Sequence, residues 1–248
     1  MAKQAGYIKL EGTMGDLSFY KNRDGKYIAR RKGGVSKKRL LTDPRYQRTR
    51  ENMQEFSTAA TAAKFLKNAF REIEIKSNGG KLHNRLYSMA MKVVKSDPVS
   101  VRGERRFELG DMGMLRDFEF SEKATLENVL KIQPEKVEDE ASFTVTIPRI
   151  VPTTNLVYAD GIKYYRFSLI RAAVDFEQKT YKSETIGIEP LPINSLPTEP
   201  VSLTLPKPGI AGETYFFALA LEFFMGVNDT HYISKDLSLN PAVILLVS

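Results

Sequence analysis

The run Tyr215–Met225 constrains this chain more than any other segment. It is apolar throughout except for Glu222, and it is far short of the roughly 20 apolar residues that span a bilayer. Written as a strand, it places Phe217, Leu219, Leu221 and Phe223 on one face and Phe216, Ala218, Ala220 and Phe224 on the other. A strand covered on one side only shows one polar face. Either both faces are therefore buried within the chain, or one is covered by a partner. On the second alternative, Phe216 and Phe224 are the candidate apolar interface.

The surrounding sequence is rich in strands. Phe143, Val145 and Ile147 alternate with Thr144 and Thr146, the period of a half-buried strand. Lys163–Phe176 reads as a long strand, with a bulge expected at Arg171-Ala172, and Tyr181–Ile188 follows after a turn. Six prolines between Pro190 and Pro208 mark edge strands and turns, and Ala242–Val247 is another apolar run. About seven strands after Glu140 predict a β-sandwich of the immunoglobulin-like or fibronectin-like kind.

The first half has a different grammar. Asp24-Gly25 lies between Leu17–Lys21 and Lys26–Arg31 and predicts a β-hairpin, with an earlier strand at Tyr7–Leu10. Asp43-Pro44 suits a helix start. Met53, Phe56, Ala59, Ala60, Ala63, Leu66, Ala69, Phe70 and Ile73 then recur at helical spacing, until Asn78-Gly79-Gly80 ends the pattern. A second helix is predicted over 81–95, with Leu82, Leu86, Met89, Ala90 and Val93 on one face. The short break between the two makes them a helical hairpin. Residues 99–135 are mixed, with a strand expected at Leu115–Phe120 and a short helix or strand at Ala124–Ile132. The fold class is α+β, divided into a basic arm and connector (1–50), a helical hairpin (51–98), a mixed connector (99–140) and a sandwich (141–248).

Charge separates the halves. Residues 1–106 hold 25 Lys and Arg against 10 Asp and Glu, whereas residues 107–248 hold 12 against 20. The overall +7 conceals this polarity. A dense basic region seeks phosphate, an acidic protein surface, or the acidic half of another copy. Its members are Lys21, Arg23, Lys26, Arg30, Arg31, Lys32, Lys37, Lys38, Arg39, Arg45, Arg48 and Arg50, interleaved with Tyr20, Tyr27 and Tyr46. Cations neutralise phosphates and tyrosines stack on bases, so nucleic acid remains open beside a protein partner and a plainly solvated face.

No catalytic constellation accompanies these features. There are no cysteines, and His83 and His231 are the only histidines, too few donors for a zinc site. Acidic residues lack the spacing of a calcium loop. No nucleophile elbow is present. Gly12-Thr13-Met14-Gly15 and Gly110-Asp111-Met112-Gly113 are too short for a phosphate-cradling loop. Glu138-Asp139-Glu140 reads as a solvated linker. No catalytic, cofactor or metal residue is assigned. The first residues lack the apolar core of a signal peptide, and no apolar run is long enough to insert into a membrane. The expected location is the cytoplasm, or a particle assembled there.

The segment from Gly12-Thr13-Met14-Gly15 through Phe19-Tyr20-Lys21, Asp24-Gly25, Arg30-Arg31-Lys32-Gly33-Gly34 and Asp43-Pro44 to Arg48-Thr49-Arg50-Glu51-Asn52, with Glu55-Phe56, resembles a group of uncharacterised bacterial proteins of similar length. That group shares the hairpin, basic connector, helical segment and β-rich tail. The resemblance covers residues 12–56 most clearly. It implies an N-terminal block under a common constraint and brings no activity or site with it.

The expected role is a non-enzymatic structural protein, a repeating subunit of a phage-like particle, tube or filament. Its partners would be other copies of itself and other assembly proteins. The alternative is a nucleic-acid-binding protein that uses the basic arm. A head-to-tail contact between unlike surfaces generates rings or filaments, which is why opposite-sign halves favour assembly.

Overall fold

A computed structural model describes residues 2–77, 81–228, 230–234 and 239–248. It divides into two compact units, Met1–Arg50 and Glu51–Ser248.

The first unit is a small antiparallel sheet followed by a helical connector. Its strands are β1 (Ala2–Lys3), β2 (Gly12–Met14), β3 (Leu17–Lys21) and β4 (Tyr27–Arg31), in the order β1-β4-β3-β2. The Asp24-Gly25 hairpin forms as expected. Asn22 accepts from the Lys26 N–H through its side chain and from the Gly25 N–H through its carbonyl. Gly25 takes φ +77°, which costs glycine little. The expected strand at Tyr7–Leu10 is absent, and β2 pairs with β3 instead. Ser36 caps α1 (Lys37–Thr42) by accepting from the Arg39 N–H. Asp43 then accepts from the Arg45 N–H and opens a 3-10 turn at Pro44–Tyr46.

Helix α2 (Gln47–Ala69) follows, then α3 (Arg71–Lys76) and α4 (Leu82–Lys95). The buried stripe of α2 is Glu55, Ala59, Ala62, Ala63, Leu66 and Ala69. Met53 and Phe56, expected in that stripe, are each 48 % exposed. The stripe begins one helical position away because Glu55 is drawn inward by the Gly103 N–H, which donates to it at 3.0 Å. In α4 the buried residues are Leu82, Leu86, Ala90, Met91, Val93 and Val94. Asn78-Gly79-Gly80, read as the helix stop, lies outside the described residues.

The remaining helices are short: α5 (Leu126–Val129) and α6 (Pro152–Asn155). The remaining strands are β5 (Glu135–Glu138), β6 (Ser142–Ile147), β7 (Tyr164–Asp175), β8 (Thr180–Gly187), β9 (Leu191–Pro192), β10 (Val201–Pro206), β11 (Thr214–Val227), β12 (Thr230–Ile233) and β13 (Ala242–Val247). They form two antiparallel sheets. In the larger, β7 pairs with β11 in continuous register from Thr214↔Val174 to Phe224↔Tyr164. β13 and β12 share the far side of β11, and β8 and β9 share the far side of β7. The irregularity expected at Arg171-Ala172 occurs instead between Phe217 and Ala218, where β11 meets β13. Within Leu115–Phe120, only the end is strand-like: the Asp117 and Phe120 N–H groups donate to Ile244 and Ala242 carbonyls. The smaller sheet has the order β10-β6-β5.

Alternation along β7 and β11 explains the layers. Ile170, Ala172, Val174, Phe216, Ala218 and Ala220 share a core with α2, α3 and α4. Phe167, Leu169, Phe217, Leu219, Leu221 and Phe223 share a second core with Phe143, Val145 and Ile147 of β6 and Leu203 and Leu205 of β10. The second unit is thus α+β, with a helical hairpin over one face of an antiparallel sheet and a smaller sheet over the other.

This arrangement corrects the reading of Phe216 and Phe224 as an apolar interface. Phe216 is 0 % exposed under the helical layer. Phe224 is buried, with the Arg166 guanidinium 5.1 Å from its ring centroid. Both faces of the run are covered from within the unit.

Candidate interaction surface

Once the apolar run is accounted for, the N-terminal unit stands out as the part of the chain without a buried core. None of its described residues is buried. Ile8 is 81 % exposed and Met14 67 %, and Leu17 and Leu41 are also exposed. A sheet normally persists by burying one face against something else. This one has regular pairing and tight turns but no core of its own.

Cross-strand register sorts its side chains. Leu17 faces Arg31, Phe19 faces Ala29 and Lys21 faces Tyr27 on one side. Ser18 faces Arg30 and Tyr20 faces Ile28 on the other. Cations therefore occupy both faces. Lys21 Nζ lies 5.5 Å from the Tyr27 ring centroid, and the Arg30 guanidinium lies 5.6 Å from that of Tyr20. Such contacts hold the charge over the ring face, and they occupy surfaces that a stacked base would need.

The twelve basic residues divide by task. Arg50 is half-buried and donates to the Leu40 and Asp43 carbonyls at 2.9 and 3.0 Å, closing the connector. Arg39 and Arg45 flank the Asp43 carboxylate at 3.2 and 3.7 Å. These three stabilise the connector itself. Lys21, Arg23, Lys26, Arg30, Arg31, Lys32, Lys37, Lys38 and Arg48 are exposed. Arg31 reaches Asp16 at 3.7 Å, but both side chains are about four-fifths exposed, so the pair is strongly screened. The first 50 residues hold 14 Lys and Arg against four Asp and Glu.

The second unit contributes fastening points. Asp97 accepts from the Arg106, Val99 and Ser100 N–H groups, and these bonds, that of Arg106 foremost, hold its carboxyl well below the usual range. Nearby, Glu55 holds Gly103 and meets Arg105 at 3.7 Å, while Asn52 accepts from Arg102 at 2.7 Å. The Glu51-Asn52 and Glu55 positions of the N-terminal block therefore clasp the loop after α4. Arg85 donates to the Glu119 and Phe120 carbonyls at 2.7 and 2.5 Å, fixing the segment beside β13 to α4. Burial pushes the Glu119 carboxyl up to about 7; Asp117 and Glu127 act in the same direction, against the Leu126 N–H and Arg85. Glu222, which interrupts the apolar run, is buried and tied to Arg166 and to Lys76 at the end of α3. Each cluster joins one element to another.

His83 and His231 lie apart: His83 is an exposed residue of α4, and the His231 ring packs on Tyr164 at 4.3 Å. Among the described residues, no group of three or more His, Cys, Asp or Glu is placed to hold a metal ion. Among them, too, no helix is long and apolar enough to cross a membrane. Sequence reasoning passed over β5, because Glu135-Lys136-Val137-Glu138 carries one apolar residue and looks like solvated linker. Its only strand signal is its position before the alternating segment Ser142–Ile147.

Comparison of the chain with protein-family models, with curated proteins and with solved structures gives no match.

Proposed function

We propose that this protein is a non-enzymatic structural subunit that repeats within a larger assembly, such as a phage-like particle, tube or filament formed in the cytoplasm. The carrying observation is the N-terminal sheet, regularly paired yet without a buried residue and densely cationic. On this reading, the arm gains its missing cover from a neighbouring copy, and the body supplied by Glu51–Ser248 is the building block. The two sheets facing each other across Phe143 and Phe217 read as a β-sandwich related to the immunoglobulin-like and fibronectin-like kind, with a helical layer added. The resemblance over residues 12–56 reads as a shared arm with its helical clasp.

Light scattering at low and high salt tests the proposal. The intact chain should form a large species free of nucleic acid, and deletion of residues 1–34 should leave a folded monomer. A monomer that enlarges only when DNA or RNA is added favours the nucleic-acid reading instead. In that case, changing Arg30, Arg31 and Lys32 to Ala should weaken binding across sequences and flatten its salt dependence.

A further inference from the structure

We infer that the seat for the arm is the open edge of β5 on a second copy of this chain, where the end of β4 and the residues just after it, Arg30 to Gly33, add as a further antiparallel strand. The rest of β4 lies between β3 and β1. This inference rests on the assembly reading above.

β5 is the exposed rim of the smaller sheet. All four of its residues are exposed, Val137 by 51 %, and its described strand partner is β6. The opposite rim, β10, is fastened to the larger sheet, where Arg171 donates to the Pro206 carbonyl at 2.7 Å. The rim strand β8 is also engaged: its Ser183 and Thr185 hydroxyls donate to Ala69 and Glu72, and Tyr181 packs on Phe65. An open edge offers unpaired backbone groups to an incoming strand.

Hydrogen-bond phase identifies the groups on offer. The Asp139 N–H donates to the Ser142 carbonyl at 2.9 Å, and the register continues regularly from Glu138↔Phe143 to Glu135↔Thr146. In an antiparallel ladder, alternate residues point their backbone groups to opposite sides. Glu135, Val137 and Asp139 therefore face β6, and Lys136 and Glu138 face outward. The same argument applies to β4. The Lys32 N–H donates to the Asp16 carbonyl, so Arg31 turns its backbone away from β3. β1 covers that side of β4 at Ile28 and Ala29, and no described residue of β1 stands opposite Arg31.

The two edges match in phase and in charge. Placing Arg31 opposite Glu138, which Lys207 already meets at 2.8 Å, sets Arg30 opposite Asp139 and leaves small Gly33 opposite Lys136. Glu140 lies just beyond. The alternative in-phase register would set Arg31 against Lys136, so charge selects the first. Acidic residues on an edge strand also keep like edges apart; here the same charges repel another β5 and attract β4. Each link is short, and repetition along an assembly multiplies it.

The test uses the full chain and sedimentation at several protein concentrations. Lys136→Pro removes one outward donor, leaves the β6 ladder intact and makes the edge more acidic. It should raise the concentration for half-assembly roughly tenfold, the scale of one lost hydrogen bond with its geometry. Asp139→Arg and Arg30→Asp should each weaken assembly, and the two together should restore it. Unchanged circular dichroism would show that these exposed changes leave the fold intact. If all of these variants assemble like the parent while the Arg30/Arg31/Lys32→Ala chain does not, the arm assembles but the β5 seat is wrong. If that triple variant also assembles normally, the arm takes no part in assembly and the β5 seat falls with it, whereas a parent chain that stays monomeric overturns the assembly reading itself.

Discussion

The Val93 carbonyl oxygen occupies the space where a side chain on Gly110 would begin. A Cβ built there would lie 2.0 Å from that oxygen. The obstacle is backbone, so no rotamer change relieves it. The contact is reinforced by Ser96, whose hydroxyl donates to Val93 and accepts from the Asp111 N–H. Gly110 thus lets the chain close over the end of α4. Gly110→Ala should destabilise by roughly 3 kcal/mol, the upper end for overpacking. Urea unfolding measures this, and a change within about 0.5 kcal/mol, normal for an open surface site, would contradict the close approach.

Arg166 and Glu222 make a second testable pair. The Arg166 Nε and Nη2 atoms reach Glu222 Oε2 at 2.8 and 2.5 Å, and Lys76 Nζ reaches Oε1 at 3.1 Å. Arg166→Met leaves a buried carboxylate with one cation. The expected loss is roughly 3 kcal/mol, the lower end for removing one partner of a buried pair, since Arg166 keeps some exposure. Adding Glu222→Leu removes the stranded charge and should recover most of that loss. If the double variant is instead the less stable, Arg166 acts chiefly through its cover of the Phe224 ring.

Glu119 predicts a pH dependence of definite sign. Its carboxyl keeps a proton up to about 7 when folded, against 4.5 for the unperturbed group. Between those values the folded chain binds more protons than the unfolded chain, so stability falls as pH rises. Above about 7 the contribution is constant. Asp97 acts in the opposite sense at lower pH: its depressed value supports the fold above the ordinary carboxylate range and is lost as acid protonates it. Denaturation at pH 5 and pH 8 should show a decline that Glu119→Gln reduces. An identical decline in the variant would assign it to other groups.

How far the fold could be read from sequence follows from where its stabilisation lies. Phe143, Val145 and Ile147 revealed β6 because one face is buried and one is not. The Asp24-Gly25 hairpin was legible because its turn chemistry is local. The apolar run Tyr215–Met225 was readable as a strand, but its two covers come from α2–α4 and from β6 and β10, distant segments whose placement no local pattern carries. Met53 and Phe56 satisfied helical spacing, yet the inward position went to Glu55 because a loop near residue 103 supplies its hydrogen bond. The cationic arm was evident from composition. Its lack of a core was not, since Tyr7, Ile8, Met14 and Leu17 would ordinarily be assigned to one. β5 stayed hidden because an edge strand needs no apolar face.

In β11 the sequence pattern is compatible with two arrangements, one face under a neighbour or both faces inside the unit. Leu219 and Phe216 are both 0 % exposed, one toward the smaller sheet and one toward the helices. Leu219→Ala should cost roughly 2–5 kcal/mol and Phe216→Ala roughly 3–5 kcal/mol, the ranges for emptying packed sites. Both losses should appear in a chain that carries Arg30/Arg31/Lys32→Ala, because neither depends on a neighbour. Urea unfolding of that background, with and without each change, provides the measurement. If Phe216→Ala proved mild there and harmful only to assembly, the helices would not be its cover. Matching losses on both faces would place the whole of β11 inside one unit and leave the cationic arm and the open sheet edges as the surfaces available to the proposed assembly.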